Sequence, residues 1–85
     1  MIGVRKIGKY NVDYCGVAYD GKYCYEMINV AEFDREDKPI PNSMKVFYFT
    51  PYAPEFKTEE EIDQLMTFNC YQKFKVERKN ILSPV

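Results

Sequence analysis

Few residues in this chain are of the types that usually carry out catalysis. Histidine is absent, and serine occurs only at Ser43 and Ser83. The chain therefore lacks most of the residues that form the nucleophile–base sets of hydrolases and transferases. Acidic side chains at Asp34, Glu36 and Asp37 lie close enough in sequence to hold a cation, but this segment lacks the glycine and the ligand spacing of a calcium loop. The sequence predicts a protein that is not an enzyme and that carries no metal or cofactor.

The three cysteines, Cys15, Cys24 and Cys70, form neither an even set nor a close pair. This count and spacing disfavour both a disulfide framework and a zinc cluster. We expect reduced, half-buried thiols in a cytoplasmic protein (in the host cytoplasm, for a phage-encoded chain). One alternative stays open, a single bridge between Cys15 and Cys24 across two neighbouring strands.

Aromatic and basic side chains offer a different kind of chemistry. The chain has eight tyrosines, and five of them fall between residues 10 and 25. Proteins that bind single-stranded nucleic acid stack bases on aromatic rings and neutralise phosphates with nearby cations. The candidate DNA-binding residues are Tyr19, Lys22, Tyr23, Tyr25, Lys73 and Lys75. The competing interpretation is structural, since tyrosine covers apolar area in small sheets while its hydroxyl stays hydrated.

The first four of these residues are expected at the tip of a β-hairpin. β-Branched and aromatic residues are dense over Tyr10–Tyr19 and over Lys22–Phe33, and Asp20-Gly21 separates the two runs. An Asp-Gly pair between such runs favours a type I′ turn, because both central residues of that turn need a positive φ. The sequence therefore predicts two antiparallel strands joined by a two-residue turn.

This turn also predicts which residues lie opposite each other. Tyr19 would face Lys22 at the exposed tip, and Tyr14 would face Met27. One face of the hairpin would carry Val12, Tyr14, Tyr23, Tyr25 and Met27.

The second half of the chain predicts a strand and a helix. Residues 34–43 are polar and contain two prolines, so they form a loop. Met44–Thr50 is an apolar run that is typical of a central strand. Thr58, with Glu61 three residues later, forms a capping box for a helix over Thr58–Phe68.

From Lys73 onward polar and apolar residues alternate, which predicts a last strand. The expected element order is β-β-β-β-α-β in one domain that spans residues 1–85. We predict a mainly β fold of the α+β class. It would be a small curled antiparallel sheet or an OB-like barrel with one short helix near Thr58–Phe68.

At the hairpin tip the sequence resembles a known family. The segment Gly-Val-Ala-Tyr-Asp-Gly-Lys-Tyr-Cys-Tyr, Gly16–Tyr25, is similar to the DNA-binding wing of filamentous-phage single-stranded DNA-binding proteins of the gene-five type. The shared positions are Gly16, Val17, Gly21, Lys22 and the aromatic Tyr25. The stretch Tyr52-Ala53-Pro54 and the basic, apolar C-terminal strand also resemble that family. The resemblance implies a five-stranded OB-like barrel, a cytoplasmic dimer, and DNA contacts by Lys22 and Tyr25.

Composition limits the partners. Twelve basic and thirteen acidic residues give a net charge of −1, which excludes a strongly basic DNA compactor. No segment approaches the roughly 20 apolar residues of a membrane span, so no membrane partner is expected. Fourteen Phe and Tyr residues exceed what a small core easily hides, and this predicts a homodimer.

Two functions from different classes remain. The first is a small phage or mobile-element protein that binds single-stranded DNA through the Tyr/Lys hairpin and the basic C-terminal strand. The alternative is a phage-type inhibitor or adaptor that binds a host or defence protein and no nucleic acid. Tyrosine anchors and the acidic stretches Glu32–Asp37 and Glu59–Asp63 suit such a protein interface.

Overall fold

The computed structural model describes residues 3–78 and 81–85. About half of the chain, 51%, is strand. The elements are β1 (Gly3–Ile7), β2 (Tyr10–Tyr19), β3 (Cys24–Glu32), β4 (Lys45–Thr50), α1 (Glu59–Leu65), β5 (Lys73–Arg78) and β6 (Ile81–Pro84). The strands lie side by side in chain order in one open, mostly antiparallel sheet. The predicted mainly β fold with one short helix is confirmed.

The hairpin of β2 and β3 turns at Asp20-Gly21 as predicted, but its loop is longer than expected. Tyr19 pairs with Cys24 instead of Lys22, so the four residues after Tyr19 form the loop. The Asp20 carboxylate explains the wider loop, because its Oδ1 accepts the N–H of Lys22 at 2.9 Å and that of Tyr23 at 2.8 Å. A side chain that satisfies two loop donors competes with the two-residue type I′ turn.

A bulge interrupts the pairing of β2 with β3. The register shifts between Tyr14 and Gly16, and Cys15 is the extra residue on the β2 side. Tyr14 therefore lies opposite Ile28, where the shorter turn predicted Met27. Because side chains alternate along a strand, one extra residue moves the residues beyond it to the other face.

Because of the bulge, the residues that the sequence predicts on one face of the hairpin lie on two opposite faces. Val12 and Tyr14 lie on the side of the main core. Tyr25 and Met27 lie on the opposite face, because they pair with the residues beyond the bulge. Tyr23 lies in the loop and belongs to neither strand. The predicted single face is wrong because it assumed an unbroken alternation.

Strands β4 and β5 pair in parallel, which corrects the expectation of a wholly antiparallel sheet. After β4 ends at Thr50, α1 and its flanking loops carry the chain to the start of β5 at Lys73. Parallel neighbours need such a crossover connection. A further strand, β6, returns antiparallel beside β5, where the sequence predicts a single last strand.

Helix α1 begins as predicted and ends earlier. The Thr58 Oγ1 accepts the N–H of Glu61 at 3.3 Å, and the Glu61 carboxylate accepts the N–H of Thr58 at 2.9 Å. The predicted capping box is therefore confirmed. The helix stops about one turn short of Phe68. There the Lys45 Nζ donates to the carbonyl oxygens of Met66 and Phe68, each at 2.8 Å, and holds the chain in a tight turn.

The main core lies on one face of the sheet, where α1 covers it. Phe47 and Phe49 are fully buried, and Phe74 stacks on Phe49 with the ring centroids 5.3 Å apart. The remaining members of this core are Ile7, Tyr10, Val12, Ile28, Val30, Phe56, Ile62, Leu65 and Val76. Helix α1 does not cover the opposite face of the sheet, which is called the open face below.

The turn between β1 and β2 depends on Gly8. Its φ is +58°, a left-handed conformation that strains residues with a Cβ. A Cβ at this position would also collide with the side chain of Glu59, whose carboxylate accepts the N–H of Lys9 at 2.8 Å. We predict that Gly8→Ala lowers the free energy of unfolding by about 1–2 kcal/mol from backbone strain. Displacement of Glu59 should add to this loss, and urea denaturation measures the sum.

Gly3→Ala is the matched control for this change. Gly3 lies in β1, and an added Cβ there has no other atom within 4 Å. Its free energy of unfolding should stay within about 0.5 kcal/mol of the parent value. Equal stability of the two variants would contradict the assigned role of Gly8.

Candidate nucleic-acid interface

The face of the sheet opposite the core carries a second set of aromatic side chains. Phe47 and Phe49 are buried in the core, and Tyr48 between them points to the other face because strand side chains alternate. Met27 pairs with Tyr48, and Tyr25, two residues from Met27, shares that face. Tyr25 is only 2% exposed although it is outside the main core. Its neighbours on the open face therefore cover it.

Four tyrosines form a row across this face. The ring centroids are 6.2 Å apart for Tyr23 and Tyr25, 5.9 Å for Tyr25 and Tyr48, and 6.5 Å for Tyr48 and Tyr71. They come from the hairpin loop, β3, β4 and the turn before β5. Tyr71 is 64% exposed, whereas Tyr23 and Tyr48 are half-buried. These four residues are called the tyrosine row below.

Lysines lie over the hairpin end of the tyrosine row. The Lys22 Nζ is 5.2 Å from the ring centroid of Tyr23, and the Lys73 Nζ is 5.3 Å from that of Tyr25. Both distances are within the range of cation–π attraction. Lys75 is exposed and follows Lys73 by two residues, so it lies on the same face of β5. Rings and cations are therefore combined at this end of the row.

One carboxylate, Asp20, stands among these cations. Its Oδ2 accepts the Tyr25 hydroxyl at 2.8 Å and the Lys73 ammonium at 3.1 Å. The pKa of Asp20 lies well below its ordinary value, chiefly because the N–H groups of Tyr23 and Lys22 bind the charged form. Burial, and then the bond to Asp20, raise the pKa of Tyr25 to about 12. At neutral pH Asp20 is thus a charged acceptor and Tyr25 a neutral donor.

Most of the candidate residues from the sequence meet at this place: Lys22, Tyr23, Tyr25 and Lys73, with Lys75 further along β5. Tyr19 does not join them. It pairs with Cys24, the neighbour of Tyr25 in β3, and therefore lies on the other side of the hairpin. Tyr19 is 69% exposed, and its hydroxyl donates to the carbonyl of Gly21 at 3.0 Å. The expected pairing of Tyr19 with Lys22 is wrong because it depended on the two-residue turn.

Tyr25 has a supporting place in the row. At 2% exposure it leaves little ring surface for a base. Its ring contacts those of Tyr23 and Tyr48, and its hydroxyl binds Asp20. Tyr25 therefore joins the hairpin loop to the sheet, while the more exposed rings on either side provide accessible surface.

Sequence reasoning missed Tyr48 and Tyr71. Tyr48 lies in an apolar run that is typical of a buried strand, and only the burial of its two phenylalanine neighbours places it on the open face. Tyr71 lies in a turn with a φ of 69°, where no local pattern connects it to β4. Its N–H donates to the carbonyl of Val46 at 2.6 Å, and this contact fixes the turn beside β4.

The three cysteines are free thiols. Cys24 pairs with Tyr19, whereas the Cys15 Sγ lies 3.6 Å from the carbonyl oxygen of Met27 at the bulge. The alternative bridge between Cys15 and Cys24 is therefore not formed. Both of these thiols are exposed, and only Cys70 is half-buried as expected. Within residues 3–78 and 81–85, no group of three potential ligand side chains converges on a metal site.

Neither a scan against protein-family models nor searches of curated proteins and solved structures find a match to this chain. Over the residues that the structure describes, no helix is long and apolar enough to cross a membrane. The geometry of the open face therefore carries the functional assignment.

The contacts of Asp20 predict that the hairpin is sensitive to acid. A carboxyl group whose folded pKa lies below its unfolded value of about 3.9 adds stability above that value. This stability is lost as the pH falls toward the folded pKa. Asp20→Asn keeps an oxygen for the two loop N–H groups but has no charge to titrate. We therefore expect the parent to lose more stability than this variant between about pH 5 and about pH 3, as measured by urea denaturation.

Asp37→Asn is the control for this comparison, because Asp37 lies in the loop after β3 and pairs with Lys6. Asp37→Asn should lose as much stability on acidification as the parent does, and therefore more than Asp20→Asn. If the parent and Asp20→Asn lose stability equally on acidification, Asp20 does not stabilise the hairpin through its charge.

Proposed function

We propose that the protein binds single-stranded DNA across the open face of its sheet. The tyrosine row is the observation that carries this proposal, since its rings run from the hairpin loop to the turn before β5 with lysines over two of them. Bases of any sequence stack on such rings while the lysines neutralise phosphates. Aromatic residues on the outward face of a sheet serve the same purpose in several RNA-binding modules.

The rings divide the work according to their exposure. Tyr71, at 64% exposure, offers a base most of a ring face. Tyr23 and Tyr48 are half-buried and offer part of a ring each. Tyr25 is covered and holds its neighbours in place. Base stacking is therefore assigned to Tyr23, Tyr48 and Tyr71, and Tyr25 supports their rings.

The phosphates are assigned to the lysines beside the row. Lys22 and Lys75 are exposed, and among the described residues neither forms an ion pair. Both are therefore available to a phosphate. Lys73 differs because its ammonium already contacts Asp20.

Two further points support this surface. The segment Gly16–Tyr25, which resembles the DNA-binding wing of gene-five type phage proteins, supplies Tyr23 and Tyr25 of the row. This likeness extends the proposal to a protein of phage or mobile-element origin. The net charge of −1 describes the whole chain, whereas phosphate binding depends on the cations that lie beside the rings.

A fluorescence anisotropy titration with labelled oligo-dT, at low and at high salt, tests the proposal. The affinity of the parent should fall with salt, with a log–log slope of about −0.7 for each phosphate neutralised. Tyr71→Asn should weaken binding at both salt concentrations by about 1–3 kcal/mol, the value of one stacked base. Asparagine is the suitable replacement because residue 71 has a φ of 69°, which asparagine tolerates.

The same titration tests the cations through Lys22→Ala. This change should weaken binding more at low than at high salt and reduce the slope by about 0.7. Lys38→Ala is its control, because Lys38 lies in the loop at the other end of β3. Nine residues of β3 separate the two loops by roughly 30 Å.

Tyr52→Asn is the control for the ring. Tyr52 is 48% exposed, and among the described residues its ring contacts none of the four rings of the tyrosine row. This variant should bind like the parent. If the parent does not bind oligo-dT at either salt concentration, the DNA proposal fails. The protein-interface alternative then takes its place, with the exposed tyrosines as contacts.

We also propose that the chain forms a homodimer through the outer edge of β2. Strand β1 pairs only with Tyr10–Tyr14, so among the described residues the outer edge of β2 from Cys15 to Tyr19 has no strand partner. Val17 in this segment is 78% exposed and lines a groove of about 410 Å³. A free apolar edge favours pairing with the same edge of a second copy.

Val17→Lys should convert this dimer to a monomer, because a charge on a strand edge opposes edge-to-edge pairing. Sedimentation equilibrium at tens of micromolar measures the mass. Val4→Lys is the matched control, since Val4 is 63% exposed but lies in β1. A monomeric parent, or a dimer that survives Val17→Lys, would contradict the assignment.

A further inference from the structure

Asp20 makes more contacts than its turn requires. The Oδ1 atom alone accepts the loop N–H groups of Lys22 and Tyr23. Asparagine forms the same side-chain-to-backbone turn as aspartate, so the turn needs no charge. The second oxygen, Oδ2, binds the Tyr25 hydroxyl and the Lys73 ammonium. The charge of Asp20 therefore also acts outside the turn, on the two groups that Oδ2 binds.

The contact between Asp20 and Lys73 lies inside the proposed DNA surface. The Lys73 Nζ is 3.1 Å from Oδ2 and 5.3 Å from the ring centroid of Tyr25. The two side chains are 40% and 31% exposed, so a ligand reaches this ion pair without unfolding of the hairpin. A DNA phosphate and the Asp20 carboxylate are both anions, and they compete for the same ammonium group.

We infer that Asp20 is an internal competitor that sets the affinity of this site for the phosphodiester groups of single-stranded DNA. The inference rests on the proposed function. In the free protein Oδ2 neutralises Lys73, and in the complex a phosphate takes that place. The carboxylate remains nearby and repels the bound phosphate. Asp20 thereby lowers the affinity of the site for the phosphate.

The exchange leaves the tyrosine row assembled. The Oδ1 contacts hold the loop, and the Tyr25 hydroxyl still donates to Oδ2 when Lys73 has turned to a phosphate. Asp20 therefore acts on DNA through its charge, while its hydrogen bonds keep the rings in place. Asp20→Asn is the informative change, because it removes the charge and keeps the oxygen that accepts the two loop N–H groups. Its amide N–H donates to the Tyr25 hydroxyl oxygen in place of the bond that Oδ2 accepts from Tyr25.

The experiment compares oligo-dT binding by the parent, Asp20→Asn and Asp37→Asn across a range of salt concentrations. Asp20→Asn should bind about two- to fivefold more tightly at low salt, the range expected when one exposed ion pair no longer competes. Its salt slope should equal that of the parent, because Lys73 neutralises one phosphate in both complexes. Asp37→Asn removes an equal charge at the far end of β3 and should bind like the parent.

Lys73→Met, which keeps most of the length of the side chain, completes the test. In this background Asp20→Asn should give no gain, because the cation for which Asp20 competes is absent. A gain of the same size in the Lys73→Met background would overturn the inference, since it would come from overall charge.

The outcomes separate this inference from the proposed function. If the parent binds oligo-dT and Asp20→Asn binds equally or more weakly, the inference is overturned and the DNA-binding proposal stands. If only Asp20→Asn binds, the proposed function fails for the parent protein, and the inference about its affinity fails with it. If neither protein binds at any salt concentration, the proposed function fails and the inference fails with it.

Discussion

The bulge at Cys15 is the constraint on which the two-faced sheet depends. Without it, Tyr25 and Met27 would lie on the same face of the hairpin as Val12 and Tyr14. One extra residue in β2 lets Val12 and Tyr14 share the core face with Ile28 and Val30 of β3, while Tyr25 and Met27 lie on the opposite face. The same strands thus bury an aliphatic and aromatic core on one side and display tyrosines on the other.

The two faces are stabilised in different ways. On the core side, phenylalanines from β4 and β5 stack beneath α1, and burial of apolar area is the main stabilising effect. On the open side, no helix covers the described strands, and Tyr25 is buried beside the rings of Tyr23 and Tyr48 and under the Lys73 ammonium. Tyrosine suits this position because its ring packs while its hydroxyl finds a polar partner. A surface of this kind is ordered before any ligand arrives.

Charge near the tyrosine row is local and partly cancelled. Asp20 holds the loop through two N–H groups, and the same carboxylate offsets one of the lysines beside the rings. The chain as a whole carries almost no net charge. Binding to a polyanion at such a surface depends on where the cations stand and on which of them are already paired, more than on their total number.

Local signals in the sequence determined several elements by themselves. Asp20-Gly21 specified the position of the hairpin, since Gly21 has a φ of 93° that few other residues tolerate. Thr58 with Glu61 specified the start of the helix through a capping box. The polar, proline-containing stretch 34–43 specified a loop. These features depend on residues within a few positions of one another, so a single chain pattern is sufficient to recognise them.

The tertiary structure alone decided the rest. The extra residue Cys15 changes which face the later side chains of β2 occupy, and no local pattern in the sequence indicates it. The parallel pairing of β4 with β5 depends on the path of the chain through α1. Tyr48 and Tyr71 become neighbours only because the turn before β5 is bonded to β4 through Val46. The candidate site combines segments that are distant in sequence, and the packing of the whole sheet brings them together.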